Sequence, residues 1–218
     1  MNSRSQTFEL RVEGCQIDEA VACLFHTVLL HRTLGKFTFQ RDGSYSVGTV
    51  GYEDVDCNFI DITYVCCSSV SLNNVLKTEI SKFSNSLRRD SHGSGQISLE
   101  FFRKRKSHWP LFSPECIPWE VWNVRIELLK LCSRSDHQLR KETVGEEIGE
   151  KIIHIAEIMN RHEYTPRIPQ QSELEFIFDT SYPDVQPYLF KLGYGNSDTS
   201  SSSMGYAFSR LLRETLPF

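Results

Sequence analysis

The chain lacks a leader-like start: Met1 to Gln6 is polar and has no apolar stretch of the kind a secretory signal needs. No apolar run approaches the roughly 20 residues of a transmembrane helix. These two absences predict an intracellular, cytoplasmic protein. Charge of one sign is also missing in excess. The net charge is −4, too near neutral for a general nucleic-acid or membrane binder. The seven cysteines include no CxxC pair, and an odd number cannot pair fully within one chain. Cys66 and Cys67 are neighbours, and neighbours on a strand point to opposite faces, so they do not make a bidentate metal pair. The cysteines therefore read as reduced thiols without a metal.

Catalytic signatures are absent as well. There is no GxSxG, HExxH, GxGxxG or GxxxxGK[ST]. Gly48-Thr-Val-Gly51 lacks the lysine and the following helix of a phosphate loop. His26 and His31 do not share a helix face, and His154 and His162 are two turns apart. Asp54, Asp56 and Asp61 do not follow the calcium-loop pattern. The expectation is a protein that is not an enzyme and needs no cofactor.

What is present is periodicity. The hydrophobic fraction is 39% over 218 residues, enough for one compact core. Thr7 to Val12 alternates as a strand with one wet face. Ile17 to Leu30 carries an apolar helical stripe, with Gly35 as its expected stop. Phe37 to Val50 holds short extended pieces around a turn at Asp42-Gly43. Phe59 to Val65 reads as a strand. Leu72 to Leu87 reads as a second helix, with Ser71 as its cap. Ile97 to Phe102 and Trp122 to Leu128 read as a strand hairpin. Its long connection runs from Ser107 to Pro118, after the basic run Arg103 to Lys106. A third helix is expected over Gln138 to His162. Pro166, Pro169, Pro183 and Pro187 then impose an irregular tail, with a possible strand at Leu189 to Tyr194. Asn196 to Ser203 is serine-rich and reads as flexible, and Gly205 to Leu216 as a short terminal helix or strand. The predicted class is α+β: a mainly antiparallel sheet, three helices packed on it and an irregular C-terminal tail. The division is residues 1–192 as one domain and 193–218 as a serine-rich segment with a short terminal element.

Two segments stand out as binding surfaces. On the third helix, Val144, Ile148, Ile152, Ile155 and Met159 form a core stripe. Gly149, Ile153, Ala156 and Asn160 lie on roughly the opposite side, where an ordinary surface helix carries charge. Either a partner approaches this face closely, or the C-terminal tail covers it. In the hairpin connection, Trp109, Leu111 and Phe112 sit between Pro110 and Pro114. Either this stiffened aromatic loop docks on a partner, or its rings fold back on their own sheet.

Several blocks resemble one family. They are His26-Thr-Val-Leu-Leu-His-Arg32, Gly35-Lys-Phe37, Val47-Gly-Thr-Val-Gly51, Asp54-Val-Asp-Cys57, Phe59-Ile-Asp61 and Thr63-Tyr-Val65. Glu115-Cys-Ile-Pro-Trp-Glu-Val-Trp122, Met159-Asn-Arg-His-Glu-Tyr164 and Asp184-Val-Gln-Pro-Tyr-Leu189 continue the series. In order and type they resemble the autophagy-related protein 101 family of HORMA-domain proteins. The resemblance implies a single HORMA domain with a belt-like segment from Tyr164 to Leu192. It implies a non-catalytic adaptor that pairs with and stabilises the HORMA domain of autophagy-related protein 13, with the pairing centred on the third helix. It also implies membership of a complex with the autophagy-initiating kinase and its large scaffold subunit, no nucleic acid, and only indirect contact with membrane at autophagosome formation sites. The family's Trp-Phe finger, which recruits downstream autophagy factors, corresponds to Trp109, Pro110, Leu111 and Phe112. Leu111 interrupts the usual Trp-Pro-Phe order, so Leu111 or Phe112 takes the second finger position. The alternative is a conformational-switch HORMA protein that entraps a partner peptide under its tail.

Overall fold

A computed structural model describes residues 3–41, 43–105, 114–129, 134–161 and 165–196. Trp109 to Phe112 and the chain after Asn196 lie outside the described residues. The strands are β1 (Arg4–Val12), β2 (Thr33–Gly35), β3 (Phe37–Phe39), β4 (Tyr45–Val47), β5 (Tyr52–Asp56) and β6 (Thr63–Cys67). They continue with β7 (Ser94–Arg105), β8 (Glu115–Leu128), β9 (Val185–Pro187) and β10 (Phe190–Asn196). The helices are α1 (Ile17–His31), α2 (Val70–Arg89) and α3 (Arg134–Met159). A short 3-10 helix spans Gln171–Phe176.

The main sheet has the order β1-β8-β7-β10. Only β1 and β8 run parallel; β8–β7 and β7–β10 are antiparallel. One face of the sheet supplies the core. Phe8, Leu10 and Val12 of β1, Ile97, Leu99 and Phe101 of β7, and Trp122, Val124 and Ile126 of β8 are buried there. This is period-2 alternation made physical. The opposite face is polar and laced with pairs such as Arg11–Glu127 and Arg125–Glu9. Helices therefore cover one side of a mainly antiparallel sheet, an α+β arrangement consistent with a HORMA domain.

The helical stripes fall as their spacing requires. Ile17, Ala20, Val21, Leu24, Phe25 and Val28 are all buried. In α2, Leu72, Leu76, Ile80, Phe83 and Leu87 are buried, but Val75 is exposed at the edge of the stripe.

Several boundaries move. The α1 helix ends at His31, and Gly35 is instead the last residue of β2. The cap of α2 is Ser69, not Ser71: the Ser69 hydroxyl accepts from the Leu72 amide. The expected strand from Phe59 begins only at Thr63, because Asn58 and Phe59 donate their amides at 2.8 Å to the Glu19 carboxylate of α1. That capture bends residues 57–62 into a turn. Both hairpin strands are longer than expected. Arg105 pairs with Glu115, so Arg103 to Arg105 and Glu115 to Pro118 belong to the ladder and the connection shrinks to residues 106–114. A bulge between Phe101 and Phe102 leaves Trp119 as the extra residue on β8.

The C-terminal segment is tied down by two ladders: β9 pairs with β2, and β10 extends the main sheet beside β7. Within the segment, Phe178 bridges Tyr188. Beneath it sits a polar cluster that periodicity did not reveal. Glu120 follows the inward phase of Trp122, Val124 and Ile126 and is 1% exposed. Arg32, at the end of α1, meets it with two hydrogen bonds, Nε to Oε1 at 3.0 Å and Nη2 to Oε2 at 2.7 Å. Trp122 Nε1 also donates to Glu120 at 2.8 Å. The Trp119 ring lies 5.7 Å from the Arg32 guanidinium and packs edge-on against Tyr188. The Tyr188 amide donates to the Arg32 carbonyl, which joins the C-terminal segment to the same cluster.

Candidate functional site

Two contacts with the turn between β5 and β6 place α3. The Asp61 amide donates to the Lys141 carbonyl at 3.1 Å. Gly145 then lies against the backbone of Asp61, so close that a β-carbon there would stand 2.5 Å from the Asp61 carbonyl oxygen. Only glycine permits this approach. Gly145→Ala is therefore expected to lower stability by about 1–3 kcal/mol, because backbone rather than a flexible side chain must move. Urea denaturation would check this, with an unchanged slope and a lower midpoint.

One turn further on, the helix divides into two faces. Val144, Ile148, Ile155, Ile158 and Met159 are buried, and Ile152 is partly so. This is the expected core stripe with Ile158 added. On the outer side Ile153 is 63% exposed and Asn160 is exposed, while Gly149 and Ala156 are half-buried. Gly149 partly belongs to the internal packing, since a β-carbon there would reach Ile62 Cδ1 at 4.0 Å. No described segment covers Ile153. The described part of the tail lies elsewhere, against β2 and β7.

Two features of this face escaped the sequence reading. Leu139 is 66% exposed and lies within about 40° of Ile153 around the helix axis, from fourteen residues at 100° each. The exposed carboxylates Glu142, Glu146, Glu150 and Glu157 share the same side. The face thus carries two large apolar side chains, about four turns apart, in an acidic setting. Counting carboxylates at helical spacing would have found it. A shallow open groove runs beside it, lined by Gln6, Thr7, Phe8 and Glu9 of β1 and by Glu150, Lys151 and His154 of α3. Among the described residues, no group of three or more His, Cys, Asp or Glu side chains could hold a metal ion. No described helix is long and apolar enough to cross a membrane. The aromatic loop at Trp109, Pro110, Leu111 and Phe112 lies outside the described residues.

The model of a known family, autophagy-related protein 101, matches residues 9–172, from β1 into the 3-10 helix and including the aromatic loop. The chain belongs to the autophagy-related protein 101 family. It is 50% identical to autophagy-related protein 101 of Xenopus tropicalis over 217 residues, covering 99% of both chains. It is 49% identical to that of Homo sapiens over the same length and coverage. The likeness to the Arabidopsis thaliana member is 27% over 126 residues, 57% of this chain and 53% of the relative. Membership of the autophagy-related protein 101 family gives the protein a role in autophagy, as a component of a family not known for catalysis.

Proposed function

We propose that the chain is a non-catalytic adaptor in autophagosome formation. It pairs through the outer face of α3 with the HORMA domain of autophagy-related protein 13 and stabilises that domain. Through this pairing it joins the autophagy-initiating kinase and its large scaffold subunit in the cytoplasm, at autophagosome formation sites. Trp109 and either Leu111 or Phe112, held by Pro110, form the finger that recruits downstream autophagy factors. The observation that carries the pairing is Ile153, 63% exposed beside the small residues Gly149 and Ala156. A large aliphatic side chain flanked by small ones is the shape of an anchor that enters a partner's pocket. Asn160 supplies an amide at the rim.

The belt-like segment favours this reading over a peptide-entrapping switch. Releasing it would break the β9–β2 and β10–β7 ladders and uncover the buried Arg32–Glu120 pair.

The first test is co-expression with the HORMA domain of autophagy-related protein 13, followed by light-scattering mass after gel filtration. A single peak with the mass of a 1:1 complex is the expected result. Two independent monomer peaks would limit the reading to the fold. Trp109→Ala is expected to leave the melting temperature and the 1:1 complex unchanged while abolishing recruitment of downstream factors. A large drop in melting temperature would instead place Trp109 in a core.

A further inference from the structure

The sulfurs of Cys23 and Cys57 lie 3.7 Å apart, although the residues are 34 positions apart in sequence. Cys23 is fully buried on α1. Cys57 is half-buried at the end of β5, where the turn to β6 begins. Their meeting is built into the fold. Glu19 stands four residues before Cys23, so it shares that face of α1. Its carboxylate holds the amides of Asn58 and Phe59, the two residues that follow Cys57. The turn is closed by the Cys57 amide donating to the Ile62 carbonyl at 3.1 Å. The other described thiols have different surroundings. Cys15 and Cys66 point at the carboxylates of Glu13 and Glu53, and Cys116 is exposed.

We propose that Cys57 is an oxidant-reactive thiol with Cys23 as its resolving partner, so that peroxide converts the pair into an intramolecular disulfide stapling α1 to the turn between β5 and β6. The two sulfurs must close from contact distance to about 2.0 Å, a movement available to Cys57 because it sits where a strand gives way to a turn. Reactivity falls on Cys57 because it is half-buried and within reach of solvent, whereas Cys23 is fully buried. The contact with Cys23 also lowers the Cys57 pKa, and Lys141 acts in the same direction, against burial and the nearby Glu19 and Asp56 carboxylates. The same contact, together with burial, raises the pKa of Cys23 while Cys57 is reduced, so Cys23 is not the first thiol to react. In the first step the Cys57 thiolate attacks one oxygen of hydrogen peroxide. A sulfur–oxygen bond forms, the oxygen–oxygen bond breaks, and the departing hydroxide takes up the proton lost by Cys57 as water. Cys57 is oxidised to the sulfenic acid and the peroxide is reduced. Cys23 sulfur then attacks Cys57 sulfur, the sulfur–oxygen bond breaks, and hydroxide leaves with the Cys23 proton as a second water. The product fixes the turn whose Asp61 backbone seats α3, behind the exposed face of Ile153.

The test treats the purified full chain with hydrogen peroxide under native conditions. The protein is then alkylated in denaturant, digested without reduction and mapped by mass spectrometry. The expected product is a peptide joining Cys23 to Cys57 that disappears on reduction and falls to background in Cys57→Ser and in Cys23→Ser. The wild-type map decides the matter even where a variant folds poorly. Recovery of Cys23 as the alkylated thiol after peroxide, with Cys57 either alkylated or carried to the sulfinic acid, would overturn the proposal.

Discussion

Glu120→Ala is expected to lower the unfolding free energy by about 3–5 kcal/mol, the typical loss when one partner of a buried ion pair is removed. Truncation at Glu120 leaves the Arg32 guanidinium 6% exposed with no carboxylate, and it also strips Trp122 Nε1 of its acceptor. Because the Tyr188 amide is anchored on the Arg32 carbonyl, the loss should spread to the C-terminal segment. Amide exchange in β9 and β10 would accelerate more than in β1. Glu120→Gln retains an acceptor for Trp122 and should lose less. If Glu120→Ala unfolded at the same urea concentration as the parent, the cluster would not be what ties the C-terminal segment to α1.

A second large effect should appear on acidification. His26 is buried on α1 and stacks on Tyr64, with ring centroids 5.5 Å apart. Burial disfavours its charged form and lowers its pKa from 6.5 to about 4. The unfolded chain protonates His26 near pH 6.5, whereas the folded chain resists until about pH 4. Between these values the unfolded state binds more protons. Stability from this residue is therefore complete above about pH 6.5 and declines as the pH falls towards 4, by roughly 3 kcal/mol in total. His26→Gln should flatten the dependence of the unfolding midpoint over that window. An equal slope in parent and variant would assign the acid sensitivity to other groups.

How far the sequence carried the structure depends on the range of the forces involved. Period-2 and period-3.6 patterns are local, so β1, β8, α1, α2 and the buried stripe of α3 could be read directly. β5 could not. Tyr52 to Asp56 is charged and mostly exposed, and it becomes a strand only because β6 offers it a ladder. The turn at residues 57–62 failed for the opposite reason. Ile60, Ile62 and Tyr64 alternate well, but Glu19, some forty positions earlier, takes the amides a strand would need. Glu120 was missed because the strand was expected only from Trp122, although its phase with Trp122 and Val124 marks it as inward.

The candidate surface shows the same division. The outward placement of Ile153 was legible from helical spacing, but spacing left open whether the tail covers it, and its 63% exposure is a finding of the fold. The role of Gly145 was not, because it answers to the Asp61 backbone brought up by the tertiary fold. Gly149, expected on the open face, is half turned towards Ile62 for the same reason. The proposed partner surface therefore centres on Ile153, with Ala156 as its neighbour, Leu139 about 21 Å further along the same helix side and carboxylates between and around them.

The most direct measurement of the account is a titration of the autophagy-related protein 13 HORMA domain with the parent chain and with Ile153→Asp, followed calorimetrically. Because Ile153 is solvent-exposed in the free chain, the variant should melt within a degree or so of the parent, as surface substitutions usually do. Binding should weaken by at least about 100-fold, since the new carboxylate would be buried without a partner. Equal affinities for parent and variant would contradict the account and move the partner to another surface of the molecule.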